Sequence, residues 1–248
     1  MLAFAAASTS AAADGTYLRL GMGMDRPADS RFLDSDCASE SPAALYGCGP
    51  GEDGSPLSSY GGFGTSGSVE LGLGRSVATR LRVEFSVSYR PRFTFDGVAN
   101  FLAPGRRQEV AAPVSAYTGM AALYMDLPGL GSADQGALIP FLGAGVGVGR
   151  TEVREMRQTF PKTTTLVPGS STGGLVWMVT AGIAVPVAAG AFLDFAWRYV
   201  DLGSVETGRG AGRVVWRDGS REPLLLDLAP TRADLHSQGL RISLRSTF

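Results

Sequence analysis

The sequence predicts an all-β chain, an eight-stranded antiparallel up-and-down β-barrel that spans a membrane. Three observations carry this expectation. The last ten residues, Gly239-Leu240-Arg241-Ile242-Ser243-Leu244-Arg245-Ser246-Thr247-Phe248, set Leu240, Ile242, Leu244 and Phe248 on one face and Arg241, Ser243, Arg245 and Thr247 on the other. That period of two marks a strand with one apolar and one polar side. Eight such segments recur, separated alternately by long and short connections. The 34 glycines, without a collagen period, are too many for a helical protein.

At 248 residues the chain has room for one large β domain. A net charge of −1 points to no nucleic-acid partner. The hydrophobic fraction of 44% is that of an ordinary globular protein, and a β-barrel falls in that range because only every second strand residue must be apolar. Residues 1–13 read as the remnant of a secretory signal, with Ala11-Ala12-Ala13 ahead of Asp14 as an A-x-A cleavage site. The barrel domain is then 14–248.

The first strand covers 15–24, with Leu18, Leu20, Met22 and Met24 alternating with Tyr17, Arg19, Gly21 and Gly23. Residues 25–65 are polar and rich in Gly, Ser, Pro and Asp. So long a connection is unusual in a compact domain but ordinary on the outer side of a membrane barrel. Strand two, 68–74, sets Val69, Leu71 and Leu73 against Glu70, Gly72 and Gly74, and a short polar link follows. Strand three is the clearest: Leu81, Val83, Phe85, Val87 and Tyr89 against Arg82, Glu84, Ser86, Ser88 and Arg90. Residues 91–113 form the second long connection, 114–125 strand four and 127–136 a turn. Strand five, 140–149, has glycine at every second position. Residues 150–171 make the third long connection, 173–187 strand six and 186–190 a tight turn. Strand seven, 191–202, turns Leu193, Phe195, Trp197 and Tyr199 outward and Asp194, Ala196 and Arg198 inward. Residues 203–233 are the last long connection before the closing strand.

Two other readings meet physical objections. A phosphate-cradling loop at 140–149 needs the spacing G-x-G-x-x-G, which would require glycine at Val148. Glycines that leave room on the crowded inner face of a small barrel explain the stretch better. The uncharged run 173–193 has the length of a transmembrane helix. Pro186 would break that helix, and Gly182 and Gly190 would weaken it. A two-stranded hairpin explains the same residues.

Three segments resemble one family. They are Pro140-Phe141-Leu142-Gly143-Ala144-Gly145-Val146-Gly147, then Leu193-Asp194-Phe195-Ala196-Trp197-Arg198-Tyr199-Val200-Asp201-Leu202-Gly203, and the stretch from His236 through Gly239-Leu240-Arg241 to Phe248. This pattern is similar to that of the OmpA-like barrels, which include the opacity and surface-antigen proteins. The resemblance implies a location in the outer membrane of a Gram-negative bacterium, with four long extracellular loops and three short periplasmic turns. It implies that Leu240, Ile242, Leu244 and Phe248 form the signal read by the barrel-insertion machinery, whereas Ser246 departs from the apolar pattern. It implies outer-membrane lipid and lipopolysaccharide as surroundings, a host or surface ligand at the loops, a monomer, no cofactor and no catalysis. No peptidoglycan-binding domain is expected after Phe248. The expected role is envelope integrity or surface-loop recognition.

The inward face carries Arg19, Glu70, Arg82, Glu84, Asp194, Arg198, Arg241 and Arg245. Side chains about fill the lumen of an eight-stranded barrel, and isolated buried charge is prohibitive. Glu70, Glu84 and Asp194 are therefore expected to bond to arginines in a lumen network. The cysteines Cys37 and Cys48 share one polar connection. In an exported protein they form a disulfide, stabilising by roughly 2–3 kcal/mol. A metal pair lacks further ligands, because His236 is the sole histidine and lies on another strand. The remaining aromatics, Tyr17, Phe85, Tyr89, Trp177, Phe195, Trp197, Tyr199 and Phe248, suit interfacial belts and lipid contacts.

Three other functions follow from the same residues. A narrow channel needs a gap in the lumen network. A lipid-modifying enzyme could use His236 and Ser237, but neighbours on a strand point to opposite faces. A soluble lipocalin-like carrier needs the apolar face inside.

Overall fold

The computed structural model describes residues 15–103, 108–130 and 138–248. The signal remnant 1–13 and most of the turn at 127–136 therefore lie outside the described residues. The described chain is all-β and antiparallel, and its elements are β1 (Thr16–Pro27), β2 (Ser30–Asp34), β3 (Ser59–Gly62), β4 (Ser66–Ala78), β5 (Leu81–Ala99), β6 (Gln108–Asp126), β7 (Ile139–Val153), β8 (Met156–Thr159), β9 (Thr163–Val167), β10 (Ser170–Ala188), β11 (Ala191–Glu206), β12 (Gly210–Trp216), β13 (Leu224–Leu228) and β14 (Thr231–Thr247).

Eight of these strands pair in a ring, in the order β1, β4, β5, β6, β7, β10, β11 and β14. The ring closes between β14 and β1, from Tyr17↔Thr247 to Pro27↔Ser237. Short links on one side join β4 to β5 and β10 to β11. In the second of these, Gly190 takes a φ of +73°, a left-handed conformation that favours a residue without Cβ. The segment 173–193 belongs to β10, that turn and β11, and Pro186 sits at a register shift, where a missing ladder donor is tolerated.

Three of the four long connections are largely strand, and the first carries the short strands β2 and β3, which corrects the expectation drawn from alternation. Residues 91–113 are mostly the upper halves of β5 and β6, leaving 100–107 as the link. A bulge between Arg90 and Phe93 explains the difference. It shifts the phase by one residue, so the alternation in the sequence breaks while the strand continues. A second shift, between Asp201 and Ser204, hides the upper half of β11 in the same way. β1 and β4 stop at Pro27 and Ser66, and β2 and β3 continue the wall above them, pairing with β14 and β5. On the other side β8 pairs with β6, and β9, β12 and β13 follow in order. The wall is therefore taller on the loop side than on the turn side.

The faces are set by burial. Leu20, Met22, Val69, Leu73, Phe85, Val87, Val148, Leu175 and Leu240 are exposed on the outer wall. The inner face divides in two. Near the turns it is charged, and near the loops it is an apolar core around Phe32, Phe63, Phe93, Phe95, Met156, Val167 and Leu235. Phe95 packs edge-on against Phe32 and Phe63, with ring centroids 4.9 and 5.2 Å apart.

Candidate functional site

The charged half of the lumen is built by strand alternation. Glu70 on β4, Glu84 on β5 and Arg19 on β1 face inward from neighbouring strands. Arg19 donates to both oxygens of Glu84, at 3.0 Å through Nε to Oε2 and 2.5 Å through Nη2 to Oε1, and also reaches Glu70. Arg198, across the barrel on β11, grips Glu70 with both Nη atoms, one of them at 3.1 Å. Near the turns Arg245 donates to both oxygens of Asp194, at 3.1 and 3.2 Å. The structure thus brings Arg19, Glu70, Glu84 and Arg198 into one cluster and Asp194 with Arg245 into another.

Sequence reading misses three partners. Arg82 bonds not to a residue of the expected set but to Asp126, with a closest contact of 2.6 Å. Arg241 bonds to Asp25, at 2.6 and 2.8 Å, and Arg90 joins the same carboxylate at 3.0 Å. Alternation alone places Asp25 in the first long connection. Its phase with Arg19, Gly21 and Gly23 was the available signal, since β1 runs on to Pro27. Asp126 likewise shares a phase with Tyr124. Arg90 also donates to Ser88 at 2.9 Å, and Ser88 pairs with Thr118 at 2.6 Å.

Tyr17 does not belong to an outer belt. It is buried in the lumen and donates its hydroxyl to Glu84 at 3.1 Å, because it alternates in step with Arg19. The other expected belt residues lie on the outer wall, half-buried or exposed, among them Trp177, Phe195, Trp197 and Phe248. Tyr89 stacks on Tyr117 with centroids 4.4 Å apart, and Trp177 approaches Tyr199 at 5.4 Å. Leu240, Ile242, Leu244 and Phe248 face outward along β14.

The inner glycines of β7 make room for the lumen. A Cβ on Gly143 would lie 2.6 Å from the Tyr124 ring, and one on Gly147 would lie 2.0 Å from the carbonyl oxygen of Gly119. Arg82 then stacks over Tyr124 and Phe141 at 5.2 and 5.6 Å. Arg19, Arg82, Tyr124, Phe141, Thr180 and Arg198 are among the walls of a void of about 10 Å³, close to the least room that one water needs.

Outside the barrel, Cys37 and Cys48 form a disulfide in the connection between β2 and β3. Asp34 accepts backbone N–H bonds from Leu45, Tyr46 and Gly47 at 2.7 to 2.9 Å. Tyr46 is buried, stacks on Phe101 and shares a 2.7 Å hydrogen bond with Ser59. Burial pushes its phenol well above the ordinary tyrosine range. His236 is half-buried, with its ring 6.3 Å from that of Tyr199, whereas the adjacent Ser237 is buried on the inner face. The two side chains therefore do not form a catalytic pair.

A closed antiparallel ring with an apolar outer wall and a charged, buried interior defines a membrane-spanning barrel of the outer-membrane class. No protein-family model and no curated protein matches the chain. Solved structures do. The outer membrane protein OprG from Pseudomonas aeruginosa is 13% identical, covers 94% of this chain and 96% of its own, and has a TM-score of 0.49. Neisserial surface protein A (NspA) is 15% identical, with coverage of 94% and 97% and a TM-score of 0.45. The outer membrane protease OmpT from Escherichia coli is 7% identical, with coverage of 95% and 97% and a TM-score of 0.47.

Proposed function

We propose that the protein is a non-conducting, non-catalytic outer-membrane barrel whose work is done by its loop-side wall, as a surface-recognition or envelope-integrity element. One observation carries the reading: the lumen is filled twice over, by paired charges below and by an apolar core above. Ions cannot cross an aromatic and aliphatic core without losing hydration. The wall that rises above the apolar belt is ordered by strands, a disulfide and buried rings, so it presents a preformed surface.

On this reading the loop side faces the medium and the turn side faces the periplasm. The outer wall contacts lipid, including an apolar recess of about 710 Å³ whose lining includes Met22, Met24, Phe195, Trp197, Leu240 and Ile242. The outward residues of β14 serve as the insertion signal, and the barrel works as a monomer. The test has two parts. The protein in planar bilayers should show no discrete conductance steps. Cells that display it should bind host-matrix or cell surfaces better than cells displaying a variant with β12 and β13 replaced by a short turn, or should resist detergent better than cells lacking it. Stable single-channel steps would overturn the reading in favour of a channel. Unchanged adhesion together with unchanged envelope resistance would overturn the surface role.

A further inference from the structure

Along the seam of the ring, β11, β14 and β1 stand side by side, and their outward side chains fall into rows. Phe195, Ile242 and Met22 make one row, and Trp197, Leu240 and Met24 make the next toward the loops. The row above changes character in one step, to Tyr199, Gln238 and Arg26. The two apolar rows line the recess of about 710 Å³. A second recess, of about 380 Å³, opens above it between Pro27, Tyr199 and His236. Arg26 and Gln238 line both, so the two form one groove, apolar below and polar above. On β4, Gly67 pairs with Met24, and a Cβ there would meet nothing within 4 Å, so that flank of the groove stays open.

The polar row is unspent. Arg26 is exposed and pairs with no carboxylate among the described residues. The Gln238 amide and the Tyr199 hydroxyl make no hydrogen bond among them either. Asp29, the carboxylate of the upper recess, already accepts from the Tyr60 hydroxyl at 3.2 Å. A row of donors headed by a guanidinium suits the oxygens of a phosphate. The row stands where the apolar wall ends, the level at which a lipid passes from chain to head. Ordinary lipid contact accounts for the lower recess alone and gives no partner to the unpaired cation above it.

We propose that this groove binds one lipid of the loop-side leaflet that carries a phosphate head. An acyl chain lies over Met24 and Leu240 against Trp197, and the phosphate accepts from Arg26, Gln238 and Tyr199. The site rests on the reading of the outer wall as lipid-facing, and not on the role given to the loop-side wall.

The test is to refold the full chain in detergent, add dioleoyl phosphatidylglycerol, dioleoylglycerol or inorganic phosphate, and count what stays bound by native mass spectrometry. One phosphatidylglycerol should stay on each barrel at concentrations where dioleoylglycerol and phosphate leave it bare. Arg26→Gln should weaken that retention several-fold, and Arg26→Lys should keep most of it. Met24→Gln, which keeps an unbranched side chain but removes its apolar character, should weaken it as well. Both positions are exposed on the outer wall, so each variant should still close its barrel. The change in gel mobility on boiling shows for every chain whether the barrel has closed, and so separates a failed site from a failed membrane-barrel reading. If Arg26→Gln does not fold, the comparison of the two lipids on the unaltered chain decides. Equal retention of the two lipids, retention of phosphate alone, or undiminished affinity in Arg26→Gln or Met24→Gln would overturn the proposal.

Discussion

At the scale of single residues, Glu70 joins the most distant parts of the chain. It receives Arg19 from the first strand and Arg198 from the other side of the barrel. Glu70→Ala leaves two buried guanidiniums short of a partner and should cost about 3–5 kcal/mol, read as a lower midpoint on heating for the loss of the folded gel form, the band that shifts in a dodecyl sulfate gel once the sample is boiled. The exposed pair Arg213–Glu155, with side chains 52% and 45% accessible, offers the contrast. Arg213→Ala should cost under about 1 kcal/mol in the same measurement. Tyr46 gives a pH dependence. Its phenol is raised in the folded state, so the neutral form contributes stability that is fully present below the ordinary tyrosine value of 10.0 and is lost as pH rises beyond it. Proteolysis within the disulfide loop should increase above about pH 10 in the native chain and not in Tyr46→Phe. At this scale most of the lumen was legible, because alternation assigns each charged side chain to a face. Which acid meets which base was not, since Arg82 chose Asp126 and Arg241 chose Asp25 according to strand stagger, which no single strand reveals.

At the scale of elements, each ring strand appears in the sequence where it crosses the apolar belt and fades where it rises above it. The bulge after Arg90 is one cause, because it inverts the phase of Phe93 and Phe95 relative to Val87 and Tyr89. The short β8, β9, β12 and β13 are another: at four to seven residues they give too few alternations to stand out from a polar connection. The glycine ladder of β7 was readable as a demand for space, and Gly147 tests it. Gly147→Val would drive a side chain into the backbone of β6 at Gly119, so the folded gel form should be lost. Gly173→Ala, whose Cβ would lie 3.6 Å from its nearest neighbour, should leave that form unchanged. Reducing Cys37–Cys48 should loosen the connection between β2 and β3, costing roughly 2–3 kcal/mol locally. Protease nicking there should rise while the ring stays resistant to dodecyl sulfate at room temperature.

At the scale of the whole molecule, the ring and the taller wall share one seam. β14 pairs with β1 along eleven residues, Tyr17 to Pro27, and then with β2 at Thr231 and Arg232. The sequence displayed the first half of that seam through its matched apolar stripes. The second half was hidden, because Arg31 to Asp34 carries no stripe of its own and gains order only from the strands beside it. The seam also sets a schedule. Everything upstream of residue 231 can be synthesised, exported and partly paired while the first connection still lacks its neighbour on one side. When the final strand arrives, one event latches the cylinder and settles the disulfide-bearing connection above it. A chain that stalls before residue 231 would therefore be doubly marked for quality control, gaping at its wall and ragged at its crown.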